Sequence, residues 1–252
     1  MNALQWTDAE GISWTALGAG SNILFGDNGY PGLVLATSEL RGFELSGECV
    51  TASAGEPLAH IARLACEAGL SGLEWAWGIP GTVGGALAMN AGTREGTTAD
   101  VLDQAVSAGA EGLHRHMAGS LGFGYRTSRF LTGELNEVAT GVTFALVRST
   151  PSRAIEAAKR MLDERRRTQP TGATAGCTFK NPPSGPSAGE LLDRAGCKGL
   201  RVGQAYVTTQ HANFILNDGS ENATDVLELI DEMKRRVKDR FGVELVEELV
   251  LL

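Results

Sequence analysis

Clustered glycines constrain this chain more than any other feature of its sequence. Five of them fall within residues 78–92, namely Gly78, Gly81, Gly84, Gly85 and Gly92. Because glycine has no side chain, a pyrophosphate and a flat ring can lie against the main chain. The exposed main-chain N–H groups can form an anion-binding nest. The segment therefore predicts a long loop that holds an anionic ligand, with a tortuous but empty loop as the alternative.

A second glycine cluster, Gly18-Ala19-Gly20, resembles the start of a dinucleotide-binding turn. A Rossmann fingerprint needs a third Gly or Ala where Ile23 stands, and a helix where residues 23–25 have the pattern of a strand. The Rossmann interpretation is therefore rejected. A ligand-binding turn and a plain hairpin turn remain as alternatives.

Charge and cysteine usage exclude several classes of function. A formal charge of -8 argues against a nucleic-acid partner, so an anionic ligand must be bound by a local cluster of cations. The four cysteines, Cys49, Cys66, Cys177 and Cys197, have no metal-ligand spacing, so no metal is expected. With no leader-like start and no apolar run of membrane-spanning length, we expect a cytoplasmic protein without a membrane partner.

Hydrophobic periodicity outlines a mixed fold. Strands are predicted at 14–17, 23–25 and 33–36, as short strands between 101 and 147, and at 243–250. Helices are predicted at 57–68, from 152 to the arginines at 165–167, after the capping pair Ser187 and Glu190, and along the apolar stripe Val226, Ile230, Met233 and Val237.

Six blocks of the sequence resemble the UDP-N-acetylenolpyruvoylglucosamine reductase (UDP-N-acetylmuramate dehydrogenase) family, in order from Leu17 to the C-terminus. They are LGAGSNILFGDNGYPGLVL, GLEWAWGIPGTVGGALAMNAG, LGFGYRTS, QPTGATAGCTFKNP, SAGELLDRAGCKGLRVGQAYVTTQHANFILN and FGVELVEEL. Only about fifty residues separate Arg126 from Cys177, which indicates the shorter subgroup without a tyrosine-loop insertion.

The resemblance implies an α+β fold, with an FAD-binding domain of the vanillyl-alcohol-oxidase type followed by a C-terminal α+β substrate-binding domain. We expect the FAD-binding region at 1–147, in subdomains of about 1–37 and 38–147, and the substrate domain at 148–252. The implied reaction is the NADPH-dependent reduction of UDP-N-acetylglucosamine enolpyruvate to UDP-N-acetylmuramate for the bacterial cell wall. A monomer with UDP-sugar and NADPH as its partners is expected.

Three residues match the catalytic positions of the family. Arg126 would bind the substrate carboxylate, whereas an isolated Arg would more simply form a surface salt bridge. Cys177 stands where the family usually has a proton-donating Ser; a thiol with a pKa of about 8.5 can donate a proton, and a small buried hydrophobe is the alternative. Glu248 matches the catalytic acid, although Glu247 is adjacent to it.

Further site residues are implied by the same resemblance. FAD contacts are implied at Gly18, Gly20, Ser21, Asn22, Gly78, Ile79, Gly81, Thr82, Gly84, Gly85, Asn90 and Gly92. Substrate contacts are implied at Tyr125, Arg165, Lys180 and Asn181, although the arginines at 165–167 could equally be a solvated helix end that favours the helix dipole. His211 has no spaced His partner and is expected to be structural.

Only sixteen residues precede Leu17, where the family normally has a few tens of residues that help to build the first FAD subdomain. We therefore expect FAD to bind more weakly than is usual for this fold. Two other functions stay open: a flavin-fold oxidoreductase acting on another substrate, and an inactive chain with little bound flavin.

Overall fold

The structure is a computed structural model that describes residues 3–217, 219 and 222–252. It contains both helices and strands along its length. Helices α1–α7 span Ala3–Glu10, Leu58–Glu67, Val83–Met89, Thr98–Val101, Pro151–Thr168, Ala188–Arg194 and Ala223–Phe241. Strands β1–β14 span Trp14–Leu17, Ile23–Leu24, Leu33–Ala36, Phe43–Ser46, Cys49–Ser53, Leu70–Ser71, Leu102–Gly109, Gly112–Met117, Val138–Ala145, Val147–Arg148, Arg201–Val202, Ala205–Val207, Ile215–Asn217 and Val250–Leu251. No helix in the described ranges is both long and apolar enough to span a bilayer.

The chain divides into two compact units. Unit 1 comprises residues 1–19 and 31–164, and unit 2 comprises residues 20–30 and 165–252. The predicted functional boundary after residue 147 stays a prediction; in this division the first part of α5 belongs to unit 1, and the segment 20–30 joins the C-terminal residues. The short segment belongs to unit 2 because β2 pairs in parallel with β14.

Unit 1 contains a five-stranded antiparallel sheet in the order β4-β5-β9-β7-β8. Its core combines buried sheet residues such as Val50 and Phe144 with apolar residues of α2 and α3 such as Leu58 and Leu87. Helix α2 buries one apolar face, and Pro57, the first residue of the predicted range 57–68, is its N-cap residue. Strands β1 and β3 form a separate parallel pair.

The glycine-rich segment 78–92 was predicted to be a loop, and for its second half this is wrong. Helix α3 begins after Thr82, whose side chain accepts a hydrogen bond from the Gly85 N–H at 3.2 Å. The Ala-Leu-Ala-Met run that follows the glycines favours a helix strongly enough to continue it to Met89.

Unit 2 is organised around α7. The predicted stripe of Val226, Ile230, Met233 and Val237 is buried, and Gly242 ends the helix in a left-handed conformation. Strands β11, β12 and β13 form an antiparallel sheet whose inner residues share this core. The prediction of α6 is also confirmed, since the Ser187 side chain caps it by accepting from the Glu190 N–H.

The predicted strand at 243–250 is mostly wrong. Only Val250–Leu251 forms a strand, and the preceding residues make one isolated bridge, Phe179 with Glu247. The partner segment around Phe179 is irregular, so a continuous ladder does not form.

The turn that contains Gly18-Ala19-Gly20 is not a hairpin. Strand β1, which precedes the turn, pairs with β3, and strand β2, which follows the turn, pairs with β14. No helix begins in residues 18–25, so the rejection of a Rossmann turn is confirmed and the plain hairpin is excluded.

Candidate active site

The glycine-rich segment of unit 1 lies against the turn between β5 and α2. The Leu58 N–H donates to Gly81 O at 3.0 Å, and the Val83 N–H donates to Glu56 O at 2.9 Å. The Gly84 N–H donates to Ala54 O at 2.8 Å, so the first turn of α3 is held directly against main chain.

The predicted FAD-contacting glycines differ in what requires them to be glycine. A Cβ on Gly84 would lie 2.9 Å from the Ala54 Cβ, one on Gly92 would lie 2.6 Å from Gly96 O, and one on Gly18 would lie 2.5 Å from Thr82 Oγ1. Packing inside unit 1 therefore explains these three. Gly81 has a φ of +118°, which disfavours any other residue.

Gly85 is different, because no contact among the described residues requires a glycine there. It is exposed in the first turn of α3, and a Cβ would meet only Thr82 Oγ1, at an ordinary 3.5 Å. Glycine in a helix costs about 0.5–1 kcal/mol relative to Ala. A bare main chain at an exposed helical position fits a ligand that approaches closely.

Asn90 and Arg126 form a second feature of unit 1. They are the only non-glycine residues with positive φ in the described part of the chain, at 44° and 53°. The Arg126 Nη2 donates to Gly92 O at 2.7 Å, and the Asn90 Nδ2 donates to Gly124 O at 2.9 Å. Positive φ in such residues is uncommon, and strained backbone of this kind clusters at functional sites.

The loop that carries Arg126 is fixed on both sides. Gly124 and Thr127 pair across it, and the buried Ser128 Oγ donates to Ala88 O at 2.7 Å in α3. The guanidinium lies 5.5 Å from the centre of the exposed Tyr125 ring. The structure thus joins the GYRTS block to the end of the glycine-rich segment.

Cys177 and its neighbours lie between two other segments of unit 2. Cys177 bridges to Phe214 on one side, and the Thr178 N–H donates to Asn213 O at 2.9 Å. On the other side the Glu248 N–H donates to Thr178 O at 2.8 Å. The predicted proton donor and the predicted acid therefore stand on adjacent, hydrogen-bonded segments.

The two neighbouring glutamates have different partners. Glu247 Oε1 accepts from Lys234 Nζ of α7 at 2.8 Å; burial raises the pKa of Glu247, but the Lys234 hydrogen bond helps to lower it overall. The Glu248 carbonyl accepts from Asn22 Nδ2 at 3.2 Å, and the Val250 N–H donates to Asn22 O at 3.0 Å. The Glu247 carboxylate is therefore engaged with α7, and the choice of Glu248 as the functional acid stays a prediction.

The remaining predicted residues have varied surroundings. Arg165 is half-buried in the last turn of α5, where it interacts electrostatically with Cys177. The Lys180 N–H donates to Val246 O, and the Asn181 Oδ1 accepts from the Ala188 N–H at 3.0 Å, which fixes the start of α6. Gly20, Ser21 and Asn22 belong to unit 2, whereas the other predicted FAD contacts belong to unit 1.

His211 has the structural contacts expected of it. Its Nδ1 accepts from the Asn213 N–H at 3.2 Å, its ring packs edge-on against Phe214, and burial lowers its pKa. In the residues that the structure describes, no three or more His, Cys, Asp or Glu side chains are arranged to hold a metal ion.

One polar cluster in unit 1 was not predicted. Glu137 has one oxygen 2.7 Å from His114 Nδ1 and the other 2.7 Å from His116 Nε2, and the buried Ser107 hydroxyl donates to it. His116 uses one nitrogen for both Ser107 and Glu137, so the cluster lacks the relay order of a hydrolase triad and is structural. The spacing of the histidines puts them on one face of β8, but no local signal points to Glu137.

Gln210 was also not predicted. Its Nε2 donates to Arg167 O and Gln169 O at 3.1 Å each, at the end of α5. Its partners are main-chain carbonyls, which any residue could supply, so no sequence pattern indicates the contact.

Known proteins match along the length of this chain. Residues 169–252 match the family described as UDP-N-acetylenolpyruvoylglucosamine reductase, C-terminal domain, and residues 1–117 match an FAD binding domain. The UDP-N-acetylenolpyruvoylglucosamine reductase of Synechococcus elongatus is 41% identical over 257 residues, covering 99% of this chain and 83% of the relative. UDP-N-acetylenolpyruvoylglucosamine reductase 2 of Symbiobacterium thermophilum is 43% identical over 249 residues, covering 97% and 80%.

A solved structure agrees with these matches. The UDP-N-acetylenolpyruvylglucosamine reductase of Thermus caldophilus matches with a TM-score of 0.85 and 39% identity, covering 98% of this chain and 88% of that one. The predicted α+β class, an FAD-binding domain followed by a C-terminal domain, is confirmed, whereas membership of the shorter subgroup stays a prediction. The chain belongs to the UDP-N-acetylenolpyruvoylglucosamine reductase family.

Proposed function

We propose that this chain reduces UDP-N-acetylglucosamine enolpyruvate to UDP-N-acetylmuramate, with NADPH as the hydride source, for peptidoglycan precursor synthesis. The observation that carries the proposal is the hydrogen bond between the segments of Cys177 and Glu248. This bond joins the segments of the proposed proton donor and the proposed acid, and the reduction of an enolpyruvyl ether needs one proton besides the hydride.

The residues of unit 1 fit a bound FAD. Gly85 offers bare, exposed main chain that internal packing does not require, and Gly81 adds a conformation suited to glycine. The other proposed FAD contacts are Gly18, Gly20, Ser21, Asn22, Gly78, Ile79, Thr82, Gly84, Asn90 and Gly92. When bound, FAD supplies the hydride chemistry, accepting hydride from NADPH and passing it to the carbon–carbon double bond.

Arg126 is proposed to bind the substrate carboxylate. Its guanidinium is already oriented by Gly92 O and by the Tyr125 ring. A planar, permanently charged fork suits a carboxylate that takes on enediolate character as hydride arrives. Tyr125 is proposed to help orient the same part of the substrate.

Cys177 is proposed to protonate the carbon next to that carboxylate, through its S–H group. The thiol is half-exposed, which leaves it within reach of a substrate. Glu248 is proposed to polarise the carboxylate region, and Arg165, Lys180 and Asn181 to contact the UDP-sugar.

The proposal also covers the domain bounds, the oligomeric state and the location of the protein. Residues 1–147 act as the FAD-binding region and residues 148–252 as the substrate-binding domain, and the chain works as a monomer. The cytoplasm is the proposed location, because NADPH is available there and thiols stay reduced, and the described cysteines are all free.

The test separates the two half-reactions. Anaerobic NADPH should bleach the flavin absorbance of the purified holoenzyme, and UDP-N-acetylglucosamine enolpyruvate should restore it. In Cys177→Ala, bleaching should be unchanged while recovery slows by about 10²–10⁴-fold, the usual contribution of a general acid.

Cys49→Ala is the matched control, because Cys49 is also half-exposed but has no proposed role. Bleaching by NADPH without recovery in the unaltered enzyme would indicate a flavin-fold oxidoreductase with another substrate. Failure to take up FAD at all would indicate an inactive chain, and the same titration tests the expected weakness of FAD binding.

A further inference from the structure

The main-chain pairing along one edge of the Cys177 segment ends at Asn213. The last of these bonds runs from the Thr178 N–H to Asn213 O, at 2.9 Å. Residues 208–212, which precede Asn213, form a loop and not a strand, so they do not continue the pairing. Phe179 therefore lies one residue beyond the last main-chain bond on this edge.

The side chain of Asn213 continues the pairing where the main chain stops. Its Oδ1 accepts from the Phe179 N–H at 2.9 Å, and its Nδ2 donates to Phe179 O at 2.8 Å. An amide offers an acceptor and a donor side by side, which matches the N–H and C=O of one residue. Asn213 is 3% exposed and Phe179 is 1% exposed, so water does not compete for either bond. The amide thus satisfies two buried main-chain groups at once.

The opposite edge of the same segment is held by the C-terminal residues. The Glu248 N–H donates to Thr178 O at 2.8 Å. Asn213 and the C-terminal segment therefore fix the main chain next to Cys177 from two sides. Without the Asn213 amide, the second residue after Cys177 would be held from one side only.

Asn213 is itself held in place by its loop. The Asn213 N–H donates to His211 Nδ1 at 3.2 Å, and the His211 ring packs edge-on against Phe214, with ring centroids 4.9 Å apart. The Thr208 hydroxyl donates to His211 O at 3.1 Å and closes the loop. The amide is therefore presented to Phe179 by a loop that its own hydrogen bonds keep in shape.

We propose that Asn213 is a positioning residue for the proton donor: by fixing the main chain of Phe179, it holds the Cys177 S–H group where a proton can pass to the substrate carbon. The inference rests on the proposed function, which gives Cys177 the role of donor. A donor must lie within hydrogen-bond reach of the atom that it protonates, and a displacement of about 1 Å can slow a reaction about 10²-fold. Loss of the anchor should therefore slow proton delivery and leave hydride transfer from NADPH unchanged.

The first test compares Asn213→Ala with the unaltered enzyme in the two half-reactions, both saturated with FAD. Anaerobic NADPH should bleach the two flavins at rates within about twofold of each other. Recovery with UDP-N-acetylglucosamine enolpyruvate should be about 10–10²-fold slower in Asn213→Ala, with the half-saturating substrate concentration changed by less than about threefold.

The same substitution in a Cys177→Ala background shows whether Asn213 acts through the thiol. If it does, adding Asn213→Ala to Cys177→Ala should change the recovery rate by less than about twofold, because the group that the amide positions is already absent. An equal slowing in both backgrounds would overturn the inference, because the effect would not pass through Cys177.

Asn213→Asp tests the pair of hydrogen bonds through pH. An ionised carboxylate can accept from the Phe179 N–H but cannot donate to Phe179 O, whereas a protonated carboxyl can do both. Because burial raises the pKa of a carboxyl, recovery in Asn213→Asp should be slow at about pH 8.5 and approach the unaltered rate at about pH 5.5.

The measured quantity in this pH series is the ratio of the two recovery rates, because the unaltered enzyme shares the other ionisable groups near Asn213. These groups lie on the donor segment, on the loop and on the C-terminal segment: Cys177, Lys180, His211, Glu247 and Glu248. A ratio that does not change with pH would overturn the inference, and this test remains if Asn213→Ala does not fold.

Asn222→Ala is the matched control for stability. Asn222 caps α7 in the same unit by accepting from the Thr224 N–H at 2.8 Å, so its loss should lower the melting temperature. Its recovery rate should stay within about twofold of the unaltered enzyme, and a loss equal to that of Asn213→Ala would reduce Asn213 to a structural role. If the unaltered enzyme bleaches but never recovers, the proposed function and this inference are both wrong. If it recovers and Asn213→Ala recovers equally fast, only this inference is wrong.

Discussion

The adjacent residues Glu247 and Glu248 have different contacts. Glu247 faces α7 and pairs with Lys234 Nζ at 2.8 Å, with side-chain exposures of 26% and 37%. Glu248 is held through its main chain by Thr178 and Asn22. The sequence alone left the choice of acid open, because counting from a predicted strand cannot tell which side chain a distant lysine will engage.

Replacement of each glutamate by glutamine should therefore separate activity from stability. Glu248→Gln should lower kcat by about 10²-fold or more, because the reacting carboxylate region loses its charged neighbour, with little change in thermal stability. Glu247→Gln should keep kcat within about twofold and lower the free energy of unfolding by no more than about 1 kcal/mol, because the pair is partly exposed.

Steady-state kinetics and thermal unfolding of the two variants provide the measurement, and each variant is the control of the other. Loss of kcat in Glu247→Gln, with Glu248→Gln active, would reverse the assignment.

The first turn of α3 contains a similar contrast at the scale of an element. Gly84 packs against Ala54, where a Cβ would lie 2.9 Å from its Cβ and 3.2 Å from its carbonyl oxygen. Gly85 is exposed, and a Cβ there would meet only Thr82 Oγ1, at an ordinary 3.5 Å. Gly84 is required by its contact with Ala54, whereas Gly85 is a proposed FAD contact.

Alanine at these two positions should have opposite effects on stability. Gly84→Ala should lower the free energy of unfolding by about 1–3 kcal/mol, because the contact with Ala54 must open. Gly85→Ala should raise it by about 0.5–1 kcal/mol in the FAD-free protein through helix propensity, yet weaken FAD binding by about tenfold or more.

Thermal unfolding of the FAD-free protein and titration with FAD measure the two effects. Unchanged FAD affinity in Gly85→Ala would contradict a close approach of the cofactor at this position.

Elements with local signals were predictable, and elements formed by distant pairing were not. Helices α2, α6 and α7 follow from apolar periodicity and caps, and the Ser187 cap is present as predicted. Helix α3 was missed because glycine composition outweighed the Ala-Leu-Ala-Met run. The strand observed near the C-terminus is shorter than the predicted 243–250, because strand length depends on a pairing partner. The segment around Phe179, which faces these residues, is irregular.

The same distinction applies to the site. Arg126, Cys177 and Glu248 were predicted from motifs that can be read in the sequence, and their roles stay predictions, whereas Gln210 binds main-chain carbonyls and has no motif. At the scale of the molecule, the membership of residues 20–30 in unit 2 depends on the pairing of β2 with β14, which are more than two hundred residues apart. No local pattern carries that information.

The division into two units allows one unit to be observed in isolation. All four tryptophans, Trp6, Trp14, Trp75 and Trp77, belong to unit 1. Tryptophan fluorescence therefore reports the unfolding of unit 1 within the whole chain, whereas circular dichroism reports both units.

The Glu137 cluster of unit 1 should make that fluorescence transition depend on pH. Burial raises the pKa of Glu137, but hydrogen bonds from Ser107, His116 and His114 outweigh it, so the folded pKa lies below the unfolded value. The ionised carboxylate then contributes stability above the unfolded pKa of about 4.3, and this contribution is lost as pH falls through the folded value.

Glu137→Gln should lower the free energy of unfolding of unit 1 by about 1–3 kcal/mol at pH 7, because a partly buried, hydrogen-bonded charge is lost. The difference from the unaltered protein should shrink as pH falls below about 4 and vanish below the folded pKa. Glu134→Gln is the matched control: Glu134 is exposed and pairs with Arg129, so its loss should cost less than about 0.5 kcal/mol. Urea unfolding followed by fluorescence at a series of pH values tests this, and a difference that stays constant down to pH 2 would show that Glu137 contributes by packing and not by its charge.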